Sequence, residues 1–313
     1  MSRLRSVVFA YHHIGVACVE ELLASGDEVA LVVTHADHPG ENVWWPSVRE
    51  LAQRLDIPVL VDPDVRAPDL TARLRAYAPD LVFSFMFRTL LPQAVLEIPR
   101  LGALNLHPSA LPKYRGRSPI NWALVHGETE TGVSLHYMVE KPDRGDVVAQ
   151  RHFPITSLDT ALTLHRRATD EARILFRETY PLLRVGRAPR IPQDPAKASY
   201  FGGRRPEDGR IDWRWPVSRI YDLLRAVTHP YPGAFTVHAG RRLFVWWARP
   251  EQDRLDLAPG RLEVSSDTVR AGTGRGTLRL ERVQVEGQQE ANAGAWAKCA
   301  GVRSGDHLGE ESP

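Results

Sequence analysis

Asn105 and His107 stand two residues apart where an apolar segment, Gly102 to Leu106, runs into a loop dense in proline, glycine and cations: Asn105-Leu106-His107-Pro108-Ser109-Ala110-Leu111-Pro112-Lys113-Tyr114-Arg115-Gly116-Arg117. If the segment is a strand, its side chains alternate, so Asn105 and His107 share a side while Leu106 faces the other. That sets a neutral amide donor beside a titratable imidazole, a pair able to hold a polar group and move a proton near neutral pH. Taken alone, an Asn-x-His is better explained by a turn cap and a hydrogen-bonded structural histidine. Asp143, in the turn Glu140-Lys141-Pro142-Asp143-Arg144-Gly145-Asp146, would by itself be a solvated connection.

The elements around this stretch read as alternating strands and helices. Ser6 to Ala10 and Val29 to Val33 are short apolar runs on either side of a helical pattern through Val19, Leu22 and Leu23, a βαβ opening. It lacks Gly-x-Gly-x-x-Gly after the first strand, so the dinucleotide fingerprint fails. A helix near Ser47 to Leu55, a strand at Pro58 to Val61, a helix near Asp69 to Tyr77 and a strand at Asp80 to Phe85 follow. A short helix near Pro92 to Leu96 then leads to the Asn105 segment. The end of a parallel strand in such a sheet is where ligands bind. Ser118-Pro119 reads as an N-cap and first-turn proline. Thr131 to Val139 and Val147 to Phe153 are expected as antiparallel strands, and Asp159 as the cap of a long amphipathic helix with apolar positions from Leu162 to Phe176. His13 is expected at a surface turn, while His12 could face the sheet crevice. Trp44 and Trp45 either cover core or form a lid over a ligand.

The pattern predicts an α/β domain over 1–186 and a linker over 187–205. A C-terminal domain of short glycine-punctuated strands, a small barrel or open sheet, is expected over 206–300, with a flexible tail over 301–313. The formal net charge of +2 and 25% charged residues announce neither a nucleic-acid nor a membrane surface. Cys18 and Cys299 are the only cysteines, which leaves no disulfide framework and suits a reducing compartment. With no leader and no membrane-length apolar run read in the sequence, the expected location is the cytoplasm.

The run Asn105-Leu106-His107-Pro108-Ser109-x-Leu111-Pro112-Lys113-Tyr114-Arg115-Gly116, with Asp143 downstream, resembles the formyltetrahydrofolate-dependent formyltransferases. The similarity is strongest to the N-terminal formyltransferase halves of bifunctional polymyxin-resistance proteins. It extends through Val7 to His12, Thr34-His35, Gly127 to Val133, Phe201-Gly202, Arg204-Arg205, Pro230 to Phe235 and Val245-Trp246. Pro108 departs from that branch, which has glycine there, but matches purine-pathway relatives. No decarboxylating dehydrogenase half follows, so that oxidative step is expected from a separate polypeptide.

The resemblance implies a Rossmann-like formyltransferase domain followed by an OB-like β domain. It implies formyl transfer from N10-formyltetrahydrofolate, without a metal, to the 4-amine of UDP-4-amino-4-deoxy-L-arabinose in lipid A modification. It places the catalytic trio on Asn105, His107 and Asp143. Folate contacts fall on Thr89, Leu90, Leu91, Arg117, Val139, Glu140, Lys141, Pro142 and Asp143. For a diphosphate, the junction arginines Arg204 and Arg205 are candidates, since guanidinium pairs with phosphate oxygens, and Tyr231 is a candidate pocket wall.

Amine attack on a formamide-like carbonyl builds charge on oxygen, and a preorganised donor there is worth about 3 kcal/mol. Asn105 offers such a donor; His107 could move the proton; Asp143 could orient the imidazole, stabilise its charge or hold a relaying water. A dTDP- or GDP-amino-sugar formyltransferase is the main alternative. Methionyl-tRNA formyltransferase shares the trio, but the loop from His35 to Pro46 carries no Lys or Arg to meet a tRNA. A non-catalytic folate or nucleotide binder is a further alternative, and the intact trio opposes it. His35 and His38 are expected as loop histidines rather than zinc ligands.

Overall fold

The computed structural model describes residues 3–251, 253 and 257–309, which divide into two compact units. The first comprises residues 1–119, 130–154 and 165–202, and the second comprises 120–129, 155–164 and 203–313.

In chain order the first unit contains β1 (Arg5–Ala10), α1 (His12–Ala24), β2 (Glu28–Thr34), α2 (Val48–Arg54), β3 (Val59–Val61), α3 (Pro68–Ala76), β4 (Leu81–Phe85), α4 (Gln93–Leu96), β5 (Ala103–His107) and β6 (Arg115–Gly116). After α5 (Pro119–Val125), most of which falls in the second unit, come β7 (Glu130–Tyr137), β8 (Val147–Pro154), α6 (Ala161–Arg184) and β9 (Tyr200–Phe201). Seven strands form one sheet in the order β3-β2-β1-β4-β5-β7-β8. The first five are parallel, while β7 runs antiparallel to β5 and β8 antiparallel to β7.

The apolar runs are near-continuous because both faces of the sheet are covered. Val7, Phe9, Val33 and Val82 pack with Leu70 and Leu74 of α3 and Val95 of α4. Phe83 and Phe85 meet Phe176 of α6 edge-on, at 5.2 and 5.5 Å between ring centroids. Glu21 of α1 accepts from Arg173 and Arg177 of α6, tying these two helices together. The order reverses direction at β1, so the crevice such a fold offers a ligand lies beyond the carboxyl ends of β1 and β4. Asn105 and His107 ride on β5, the next strand along.

The segment expected to be a linker is largely part of the first unit. Ile191 bridges Val147, and β9 pairs with β6. Gly116 permits that pairing: its φ is +97°, and a Cβ there would lie 2.2 Å from the Phe201 carbonyl oxygen.

The second unit contains α7 (Val217–Val227), β10 (Ala234–His238), β11 (Arg241–Glu251), β12 (Leu262–Ser265), β13 (Thr268–Gly272), β14 (Thr277–Val285), β15 (Ala291–Asn292) and α8 (Ala293–Ala300). Its antiparallel sheet follows the order β10-β11-β14-β13-β12, with β15 on β14, in agreement with the expected β-rich domain. Helix α8 was absent from the expected elements. The long helix α6 is capped by Thr160, whose hydroxyl accepts from the Thr163 N–H, rather than by Asp159; Asp159 instead accepts from Thr156 and the Thr163 hydroxyl. Residues 301–309, expected to be flexible, pack: Val302 and Leu308 are buried, and the Leu308 N–H donates to the Gly260 carbonyl. Residues 310–313 of the expected tail lie outside the described residues. Among the described residues no helix is long and apolar enough to cross a membrane.

Candidate active site

Strand β5 places Asn105 and His107 on one face, and the antiparallel register with β7 sets His136 directly opposite Asn105. The loop after β7 doubles back, closed by the Tyr137 N–H donating to the Asp146 carbonyl. Gly145 makes that return possible, since a Cβ on it would fall 1.9 Å from the Tyr137 carbonyl oxygen. Asp143, held at φ +55° in this loop, thereby reaches the β5 pair. Its Oδ1 lies 3.4 Å from the Asn105 Nδ2, 3.6 Å from the His107 Nδ1 and 3.5 Å from the His136 Nε2. Its Oδ2 accepts from the Gly116 N–H at 2.8 Å. The three residues chosen from the sequence therefore converge, with His136 as a fourth member that sequence reasoning did not single out.

The hydrogen bonds assign the tautomers. The His107 Nε2 lies 2.8 Å from the Tyr114 carbonyl, which can only accept, so Nε2 carries a proton. In the neutral ring, Nδ1 is then a lone pair on the side of Asp143. His136 is arranged the other way round: Nδ1 donates to the Tyr137 carbonyl at 2.8 Å, and Nε2 accepts from the Asn105 amide at 3.1 Å. His107 and His136 are 5% and 1% exposed, so these orientations are set by protein groups rather than by water. Burial works to raise the Asp143 pKa, but positive charge on His107, present once its Nδ1 is protonated, outweighs it together with the Gly116 N–H and holds the carboxyl below its usual range. It is an ionised, largely dry carboxylate.

The former linker supplies the brace. The Gln193 amide donates to the carbonyls of Asp143 at 2.8 Å and Gly145 at 2.7 Å, while its oxygen accepts from Arg115 at 2.7 and 3.1 Å. Only the three-dimensional return of residues 187–202 reveals Gln193; nothing in the Pro- and Arg-rich sequence marks it.

The remaining candidates are distributed around this centre and beyond it. Thr89 and Leu90 are exposed just after β4, with Leu91 buried, and Val139, Glu140 and Lys141 are exposed on the loop that carries Asp143. Pro142 is half-buried there, and Arg117 is exposed after β6. In the second unit the Arg204 guanidinium sits 4.6 Å from the Trp122 ring centroid and donates to the Asp208 carbonyl at 2.9 Å, whereas Arg205 is exposed. Burial pushes the Tyr231 hydroxyl up to about 12 against a hydrogen bond with Asn121, so it stays protonated at working pH.

At the end of β1, His12 is buried and lies beside Trp44, Trp45 and His165, while half-buried His13 lies beside Trp44 and His165. His35 is committed elsewhere: its ring stacks on Phe87, meets Asp62 through Nδ1 and accepts from the Arg88 N–H through Nε2.

Known proteins share this plan. HypX from Aquifex aeolicus, in a structure with tetrahydrofolic acid, superposes with a TM-score of 0.65 at 22% identity, covering 97% of this chain and 49% of its own. The chain thus spans about half the length of HypX. An N-formyltransferase from Helicobacter canadensis, in complex with folinic acid and dTDP-3-aminofucose, gives a TM-score of 0.71 at 18% identity over 93% of this chain and 100% of its own. WlaRD, a sugar 3N-formyl transferase solved with dTDP and 5-N-formyl-THF, gives 0.70 at 18% identity over 92% and 100%. At such identities the likeness is one of fold. The family models are more specific: "Formyl transferase" matches residues 5–179, and "Formyl transferase, C-terminal domain" matches residues 204–301. On those matches, the chain belongs to the formyl transferase family.

Proposed function

We propose that this protein transfers a formyl group from N10-formyltetrahydrofolate to the amine of a nucleotide-linked amino sugar, with Asn105, His107 and Asp143 as its catalytic groups. The supporting observation is the convergence of an amide, a lone-pair nitrogen and an ionised carboxylate at the end of β5, all within 3.6 Å of the Asp143 Oδ1.

The donor set fits a folate. Leu90 and Val139, 60% and 47% exposed on the loops after β4 and β7, are apolar side chains left open for a flat heterocycle, and these strands flank β5. Thr89 to Leu91, Arg117 and Val139 to Asp143 would hold the folate, which when bound supplies the electrophilic formyl carbon. The chain's own groups supply the rest. Asn105 has a second amide hydrogen engaged only by the 3.4 Å contact to Asp143, and can turn it to a developing oxyanion. His107 takes the amine proton at Nδ1, since its Nε2 is held by the Tyr114 carbonyl. The resulting imidazolium is stabilised by the Asp143 carboxylate and can return that proton to the leaving folate nitrogen as its bond to the formyl carbon breaks. Gln193 and His136 position the carboxylate and the amide respectively, without touching the reactants.

For the acceptor, a dTDP-linked amino sugar ranks first. The structures from Helicobacter canadensis and of WlaRD carry dTDP-3-aminofucose and dTDP. UDP-4-amino-4-deoxy-L-arabinose, which the sequence resemblance implies, ranks second. Arg205, exposed in the second unit, is the better diphosphate partner of the two arginines because Arg204 is engaged by Trp122 and Asp208. Tyr231 would contribute a neutral wall. Assaying N10-formyltetrahydrofolate with a panel of dTDP-, UDP- and GDP-linked amino sugars tests the proposal. Formylated product is expected with dTDP substrates; turnover confined to UDP-4-amino-4-deoxy-L-arabinose would reverse the ranking, and none with any member would refute the acceptor class.

A further inference from the structure

The geometry points to a metal site outside the formyl-transfer centre: we propose that His12, His13 and His165 bind one zinc-type divalent transition-metal ion through three imidazoles, leaving a fourth position for solvent.

His12 and His13 open α1, and His165 comes from α6. One ring nitrogen from each lies within 4.8 Å of the other two. The Nδ1 atoms of His12 and His13 are 3.4 Å apart. Zinc–imidazole bonds of about 2.0–2.1 Å arranged tetrahedrally put neighbouring ligand nitrogens about 3.4 Å apart, so this edge has the length the ion requires. A direct hydrogen bond between those two rings would also explain the short contact. It leaves His165 unexplained: the side chain is 3% exposed, and neither its Nδ1 nor its Nε2 has a hydrogen-bond partner among the described residues. Buried imidazoles almost always find one. A metal gives one of those nitrogens its partner and uses a lone pair that nothing else in the structure uses.

The surroundings suit the same ligand. An all-imidazole set selects zinc, copper, nickel or iron over calcium and magnesium, which require oxygen ligands. Trp45 stacks on His12 at 4.2 Å, and Trp44 meets His12, His13 and His165 at 4.7, 5.3 and 5.2 Å. The two tryptophans therefore form the low-dielectric shell that sharpens a metal's hold on its ligands. His13, half-buried, marks the route of entry. His12 keeps its place at φ +67°, a left-handed conformation that a non-glycine residue adopts only when its surroundings impose it.

The test uses the untagged full chain, stripped with a chelator and re-equilibrated with Zn²⁺ or Co²⁺. One metal per chain should survive desalting, Zn²⁺ should raise Tm, and bound Co²⁺ should give the intense visible bands of low coordination with nitrogen ligands. His165→Ala and His13→Ala should each weaken binding by at least the roughly 100-fold that loss of an outer-sphere partner costs. His35→Ala, outside the cluster, should bind as the parent does. If His165→Ala fails to fold, the half-buried His13→Ala and the wild-type Co²⁺ spectrum still decide. Wild-type protein that retains no metal, or unchanged affinity in a folded cluster variant, overturns the proposal. Because the readout is metal content, its failure is visible separately from any failure of formyl transfer.

Discussion

The two polar clusters of the first unit are built on opposite principles. Around Asp143, a buried negative charge is met by an amide, two imidazoles and a backbone N–H, and each imidazole is fixed by a carbonyl behind it. Around His12, three imidazoles gather with no acid among them, and the ring of the most buried has no hydrogen-bond partner among the described residues. In the first cluster the buried charge is met by donors of the protein itself. The second is chemically incomplete without a ligand. Both were assembled from histidines in apolar stretches, so residue type alone does not separate them; the atoms facing each ring do.

The comparison can be broken most forcefully at His107. His107→Ala should lower kcat by about 10²–10⁴-fold, the range for removing a general acid–base group, while leaving Tm near the parent value. A collapse of Tm in parallel would instead make His107 part of the scaffold. Next in size, Asp143→Asn should cost about 10²-fold or more, because its neutral amide can no longer stabilise the imidazolium. The same variant tests the charge. Asp143 has an ordinary value of 3.8 and is depressed on folding, so its stabilisation is fully present above that pH and is lost as pH falls toward the folded value. The stability gap between parent and Asp143→Asn should thus be flat at neutral pH and shrink in acid; a gap that widens in acid would reverse the assigned sign.

A smaller effect is expected from Gln193→Ala, which unties two carbonyls of the loop carrying Asp143. About tenfold lower kcat with KM for the sugar little changed would mark it as a positioning residue, and Gln193→Glu, which keeps an acceptor for Arg115 but not the donors, should fail to rescue. Unaltered kcat would show that Asp143 needs no brace. Smallest in activity, Leu308→Ala should destabilise the second unit by about 2–4 kcal/mol through the cavity left at a 1% exposed side chain, without altering turnover at low temperature. Wild-type stability in that variant would return residues 301–309 to the status of a loose tail.

Much of the first unit was legible before any coordinates. Parallel strands buried on both faces announce themselves as continuous apolar runs, and β1, β2, β4 and β5 lie within a residue or so of their expected bounds. The sites were legible in proportion to how local they are. Asn105 and His107 share a strand face two residues apart, which periodicity alone predicts. Asp143 was selected through family resemblance, since an aspartate in a turn carries no signal of its own. His136 becomes visible only once β5 and β7 are paired in register, and Gln193 only once residues 187–202 fold back. His165 looked like one more position on a long helix, its significance hidden until α1 and α6 came together. Helix α8, Ala293–Ala300, escaped because eight residues, half of them alanine and including Gly294, span too few turns to display a helical period.

The most direct test of the formyl-transfer assignment is single-turnover formyl transfer from N10-formyltetrahydrofolate to the best amino-sugar acceptor, comparing the parent protein with Asn105→Ala. The geometry predicts stoichiometric formylated sugar and tetrahydrofolate from the parent, and a rate lower by about 10²–10³-fold in the variant, the loss of one oxyanion donor. An equal rate in a folded Asn105→Ala would contradict the placement of the reaction at the end of β5.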